Sequence, residues 1–340
     1  MTKHPPSARP ATERLSPTAW LSARDSSRLL GALAWGAPTG SDPFAMPLPV
    51  LDGSAATDAW WSSGPVRRGR TGSAVWRQGG GLCFGAIDVP NAGRPDAPMG
   101  VLAWQAYTDL FAALRESGHD KLLRVWNVVP HINGETGVPP LERYRQFNIG
   151  RQQAFVEQDH DALAGAPAAC AVGSHGDTLS LRFLAARTAG EPVENPRQVP
   201  AWAYPAAYGP KAPSFTRATL VDAGGGRRGL LVSGTASIVG HQTLHEERVG
   251  AQTEETLENL HAVLAQAALQ AGPGTRFDPT AMQCTVYLRR PEDAAVVRNA
   301  LAQAWGATCP AVAQAVFVRA DICRRELLVE IEGHLWPGAA

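Results

Sequence analysis

Residues 252–288, QTEETLENLHAVLAQAALQAGPGTRFDPTAMQCTVYL, decide the fold. Their first part sets Leu257, Leu260, Val263, Leu264, Ala267 and Leu269 at helical spacing. Gly272-Pro273-Gly274 stops that helix, since proline cannot continue it and glycine accepts the backbone of a stop. The period then changes from 3.6 to 2. Cys284, Val286 and Leu288 alternate with Gln283, Thr285 and Tyr287, which predicts a strand over 282–288 with two unlike faces.

Working outward, residues 216–221 and 229–233 read as strands around a turn at Gly224-Gly225-Gly226. Downstream, Pro291 opens a second helix over 291–305, followed by strands over 313–318 and 326–331. The order is β-β-α-β-α-β-β. The first half reads similarly, with strands at 82–87, 122–129, 168–172 and 178–185 and helices at 101–117 and 141–158. The expected fold class is therefore α+β, an open sheet with helices on one face in each of two similar halves. The expected divisions are a flexible arm over 1–24, a first domain over 25–190, a Pro-rich linker over 191–213 and a second domain over 214–340.

The composition narrows the function classes. Lys plus Arg equals Asp plus Glu at 31 each, so no basic field points to nucleic acid or an anionic membrane. No run of about 18 apolar residues is present to span a bilayer, and the polar N-terminus lacks the apolar segment of a secretory signal. Cys83, Cys170, Cys284, Cys309 and Cys323 are odd in number and widely spaced, without a C-x-x-C pair. That pattern points to free thiols in a reducing, cytoplasmic compartment. His241 and His245 have the spacing of a metal pair but no convincing third ligand, so no metal is expected. The Gly79-Gly80-Gly81 and Gly224-Gly225-Gly226 runs read as hairpin turns rather than phosphate loops. Trp60-Trp61 reads as core or a lid.

Three stretches of the second half resemble the RidA-type small-molecule fold: residues 230–236 (LLVSGTA), Gln252 with Leu257-Glu258-Asn259-Leu260, and Leu328-Val329-Glu330-Ile331-Glu332. The resemblance implies a site where one sheet meets a neighbouring unit, with the first glutamate of the last strand doing acid–base work. One departure stands out. Imine-hydrolysing members carry an arginine after a Pro-Ala pair, whereas here Pro310-Ala311 is followed by Val312.

Residues 125–133 (VWNVVPHIN), Leu141 through Asn148 with Arg151, Trp202-Ala203-Tyr204-Pro205, and residues 208–218 extend the likeness. Together they resemble the chorismatase family over roughly residues 80–335. That resemblance implies two RidA-like halves packed as a pseudo-oligomer within one chain. It also implies cofactor-free cleavage of chorismate to pyruvate and 3-hydroxybenzoate, with 4-hydroxybenzoate as a further product. Hydrolysis to the 3,4-dihydroxy diene acid and a non-catalytic carboxylate-binding protein are the alternatives. The expected partner is chorismate alone, without nucleic acid or membrane, in a monomer or weak oligomer.

Site residues follow from the same resemblance. Glu330 is the expected acid. By periodicity alone Glu330 and Glu332 share a face that would point to solvent; the resemblance turns that face toward a site, where burial and a like charge would hold the proton. Arg151 and Arg217 are the expected carboxylate ligands, since a guanidinium can grip a carboxylate through two hydrogen bonds, with Arg143 and Arg145 as alternatives. Tyr144, seven residues and two turns before Arg151, and Tyr204 complete the binding set. Cys323 matches the pattern of hydroxybenzoate-forming members, where a thiol could shuttle a proton. Ala236 stands where a small residue shapes the pocket; glycine there marks the dedicated 3-hydroxybenzoate type, so Ala236 beside Cys323 is a mixed signature.

Overall fold

The structure is a computed structural model that describes residues 11–36, 44–51, 56–223 and 226–336. The first described elements form a sheet the sequence did not reveal. Strands β1 (Ala11–Leu15), β2 (Leu29–Trp35), β3 (Ala45–Met46) and β4 (Ala56–Trp61) form a sheet in the order β1-β4-β2-β3, with helix α1 (Pro17–Ala23) after the first strand. Ser16 caps α1 by accepting from the Ala19 amide at 3.3 Å. The expected arm over 1–24 is thus corrected from residue 11 on, while residues 1–10 lie outside the described residues. The reason is pairing and charge: β1 runs antiparallel to β4, and Arg14 binds Asp58 through two hydrogen bonds of 2.6 and 2.7 Å.

The first repeat follows. Its elements are β5 (Arg67–Thr71), β6 (Ala74–Gly79), β7 (Leu82–Val89), α2 (Met99–Ser117), β8 (Lys121–Pro130), the small hairpin β9 (Glu135–Thr136) and β10 (Leu141–Glu142), α3 (Arg143–Glu157), β11 (Ala168–Ser174) and β12 (Leu179–Ala186). The second comprises β13 (Glu191–Val193), β14 (Ala218–Asp222), β15 (Arg228–Ala236), the small hairpin β16 (Ile238–Val239) and β17 (Gln242–Thr243), α4 (Val249–Ala271), β18 (Gln283–Leu288), α5 (Ala294–Trp305), α6 (Pro310–Ala313), β19 (Val316–Arg319) and β20 (Val329–Leu335). The sheets run β11-β8-β12-β7-β6-β5 and β19-β18-β20-β15-β14-β13. They match position for position, each with a parallel pair at the same edge. The two-halves reading is therefore visible directly in the strand order. The first expected domain also contains three strands of the separate N-terminal sheet, β2, β3 and β4, whose remaining strand β1 precedes it.

Burial explains the layering. One apolar core lies between the first sheet and α2–α3, another between the second sheet and α4–α5. A third joins the inner faces of all three sheets, and Trp35 and Trp60 belong to it. Helices α2 and α3 cross closely because both carry glycine at the contact: a Cβ on Gly150 would sit 1.9 Å from the Gly100 carbonyl oxygen. The halves are joined by polar seams as well. Amides of edge strand β11 are satisfied from the other half, Ala168 by Thr219 Oγ1 and Ala169 by Ser233 Oγ, both at 2.9 Å. Gly80 and Gly81 take positive φ in the β6–β7 hairpin, as a tight turn requires. The turn expected at Gly224-Gly225-Gly226 falls partly outside the described residues.

Candidate active site

A cavity of about 380 Å³ opens where the halves meet. Its walls come from α3, β11, β15, β20 and the loop before β20, and residues between β13 and β14 cover it. Tyr144, Arg151, Tyr204, Arg217, Ala236, Cys323 and Glu330 all line this one space.

Glu330 sits on β20 with its carboxyl turned inward, 3% exposed, so it does not lie on a solvated face. Burial and then the negative Glu332 push its pKa up to about 8, against the opposing charges of Arg124 and Arg217. Its neighbour in register on β15 is Ala236. The carboxyl also needs Gly234, because a Cβ there would stand 1.9 Å from Glu330 Oε1. The place of the Glu330 carboxyl is thus carved by the absence of a side chain on the adjoining strand.

Two buried guanidinium groups face the same space. Arg151 is held by Asn148 Oδ1 at 2.9 Å, and its guanidinium lies 5.3 Å over the Phe147 ring. Arg217 donates to Val199 O at 2.9 Å and to the Tyr204 hydroxyl at 2.8 Å. Among the described residues neither has an ion-pair partner, and the Nε of each is buried without a hydrogen bond. Burying an unpaired cation is costly, so the arrangement is one that an anion would complete. Arg143 is corrected as an alternative ligand: it donates to the backbone carbonyls of Pro130, Arg94 and Ala92 and braces the chain. Arg145 lines the rim beside Glu142 at 3.5 Å.

A family model described as "Chorismatase FkbO/Hyg5-like, N-terminal" matches residues 58–185. A 3-hydroxybenzoate synthase of Streptomyces hygroscopicus is 36% identical over 87% of this chain and 82% of its own length. A chorismatase of Streptomyces rapamycinicus is 37% identical over 81% of each. The chain belongs to the chorismatase family. A crystal structure of chorismatase superposes with a TM-score of 0.85 at 31% identity, covering 97% of this chain and 99% of that one.

In this chorismatase family member, Cys323 is half-buried at the cavity wall, and burial followed by the charge of Glu330 raises its thiol to about 12. It is therefore a neutral thiol at ordinary pH. Burial likewise keeps the Tyr144 phenol protonated. Sequence reading missed four further wall residues. Gly234 and Tyr208 stood inside quoted motifs without being singled out. Cys170 lies on β11, where alternation alone could have turned it inward. Arg324, next to Cys323, stacks over Tyr204 and Tyr208 at 5.2 and 4.2 Å and donates to His241 O at 2.9 Å. Tyr208 itself donates to His241 O at 2.6 Å, so this contact fastens the cover. His245 faces Glu255 and Arg248. Val312 is buried in the core beneath α4 and α5, away from the cavity.

Proposed function

We propose that this chain cleaves the enolpyruvyl ether of chorismate, releasing pyruvate and 3-hydroxybenzoate. The observation that carries the reading is one cavity in which the buried Glu330 carboxyl stands with two buried arginines, Arg151 and Arg217, that form no salt bridge among the described residues. Relatives named 3-hydroxybenzoate synthase and chorismatase support it. Chorismate brings two carboxylates, and pairing each with one guanidinium would satisfy both cations. Tyr144 accompanies Arg151, and Tyr204 accompanies Arg217, as phenol donors to the same groups.

Cleavage starts with proton transfer from Glu330 to the terminal methylene carbon of the enol ether. The product is an oxocarbenium ion, which the newly formed Glu330 carboxylate stabilises at short range. Water adds to the former vinyl carbon to give a hemiketal, whose bond to the ring oxygen breaks as that oxygen takes a proton, releasing pyruvate and the ring diol. Any water consumed in that cleavage is returned when the ring aromatises, so chorismate divides into pyruvate and hydroxybenzoate without a redox partner. Aromatisation requires loss of a ring proton, and Cys323 is placed to relay it as a neutral thiol. Ala236, opposite Glu330 in the sheet, sets the space beside the reacting centre, and 4-hydroxybenzoate is a second product of this reading.

The described cysteines are all free, in keeping with a reducing, cytoplasmic setting. No described helix is long and apolar enough to cross a membrane. The test is incubation of the purified protein with chorismate, with pyruvate followed through lactate dehydrogenase and the ring product separated chromatographically. Equal amounts of pyruvate and 3-hydroxybenzoate are expected, and absence of pyruvate overturns the reading.

A further inference from the structure

Strand β20 turns Glu330, Glu332 and His334 inward in succession, two residues apart on one face. Glu330 enters the cavity, but Glu332 does not line it. Glu332 is 2% exposed and is held from two directions. Arg124, on β8 of the other half, pairs with its Oε2, and Tyr287, on β18, donates to its Oε1 at 2.6 Å. Arg124 lies 5.2 Å over the Trp126 ring, and its Nη1 has no hydrogen bond among the described residues. Apolar side chains of the same volume would fill this place at no greater cost, because a buried ion pair rarely repays its desolvation. A charge pair therefore stands where packing alone does not require one, two residues from the acid.

We propose that Glu332, Arg124 and Tyr287 are positioning residues for the acid, a fixed-charge unit that keeps the proton on Glu330. The proposal rests on the reading of Glu330 as the proton donor. Side chains two apart on a strand start about 7 Å from each other, so the Glu332 carboxylate faces Glu330 along β20. Arg124 reaches that carboxylate from β8 of the opposing sheet. The groups facing Glu330 can be named element by element: Glu332 on β20, Arg124 on β8, Arg217 just before β14, Cys170 on β11, Tyr144 on α3 and Cys323 in the preceding loop. Burial keeps the two thiols and the phenol neutral. Both arginines favour loss of the Glu330 proton, and Glu332 is the negative group that opposes them and acts on Glu330 more strongly than Arg124 does.

The test uses the full chain and two readouts: the alkaline limb of kcat/KM for chorismate, and an infrared titration of the protonated carboxyl band that disappears in Glu330→Gln. Glu332→Gln strands the Arg124 charge beside the acid, so both readouts should move to lower pH by at least about one unit. Glu332→Gln combined with Arg124→Met removes the stranded charge and should return the limb most of the way. Arg124→Lys keeps the charge and should leave the limb where it was. An unmoved limb in folded Glu332→Gln, or single and double variants shifting alike, overturns the proposal while pyruvate release leaves the reading intact. Should Glu332→Gln not fold, the wild-type titration decides: one buried protonated carboxyl at pH 7 is expected, and a second, assignable to Glu332, sinks the idea. Full turnover by Glu330→Gln sinks the underlying reading instead.

Discussion

A carboxyl group proposed as an acid at neutral pH must keep its proton where ordinary carboxyl groups have lost theirs, and for Glu330 that condition carries a cost in stability. Its folded pKa of about 8 stands above its unfolded value near 4.5. Between those values the native state binds the extra proton, so this residue's contribution to stability falls as pH rises through the window. Glutamine does not titrate. Glu330→Gln should therefore gain thermal stability over wild type progressively from pH 5 to pH 8, on the order of a few kcal/mol at the upper end, while losing turnover. A gap that is constant with pH would show that Glu330 is not a buried protonated acid. Wild-type kcat/KM should correspondingly fall about tenfold per pH unit above pH 8. Cys323 belongs to the same scale. Cys323→Ala should retain pyruvate release and shift the ring product toward the non-aromatic diene diol, as product chromatography would show; an unchanged product ratio would make the thiol a packing group.

At the scale of elements, α3 presents Tyr144 and Arg151 to the cavity only if it lies close against α2, and Gly150 makes that approach possible. Gly150→Ala would drive a methyl group onto the Gly100 backbone, where no side chain can move aside. Such overpacking costs about 1–3 kcal/mol, and the displaced α3 should raise KM for chorismate more than it lowers kcat. An unaltered KM at reduced stability would mean the helix moves without its arginine. The same elements show what the sequence could tell. The 3.6 and 2 periods located the repeated helices and strands, because each packs one face on a core. The last strand was displaced by a few residues: the expected 326–331 became Val329–Leu335. Gly333 and His334 interrupt the apolar alternation, yet both face partners within the sheets, and His334, pushed down to about 4 by burial, stays neutral there. Motif resemblance singled out seven residues that line the one cavity. Gly234 and Arg324 were not singled out, since a missing Cβ and a stacking contact leave no mark in periodicity.

At the scale of the whole molecule, the N-terminal sheet closes the inner faces of both repeats, where a buried ion pair joins the apolar packing. Hydrophobic alternation did not announce this sheet, because its inner strand β2 is buried on both faces as one apolar run, and the ion pair that joins β1 to β4 links positions 44 residues apart. Arg14 grips Asp58 through both carboxylate oxygens and extends to the carbonyls of Cys284 at 3.0 Å and Gln314 at 2.5 Å in the second repeat. Burial works against the Asp58 charge, but Arg14, by its own charge and hydrogen bonds, outweighs that and holds the carboxyl below its usual range. Removing one partner of such a pair strands the other in the core. Arg14→Met should therefore destabilise the protein by about 3–5 kcal/mol, read as a lower midpoint in chemical denaturation. Arg14→Met with Asp58→Leu replaces both charges by apolar groups and should recover most of the loss, since what is expensive is the unpaired carboxylate rather than the missing salt bridge. If the single variant were as stable as wild type, the N-terminal sheet would be held by packing alone. If the double variant stayed as unstable as the single one, the guanidinium's bonds to the second repeat would be what fastens the sheet.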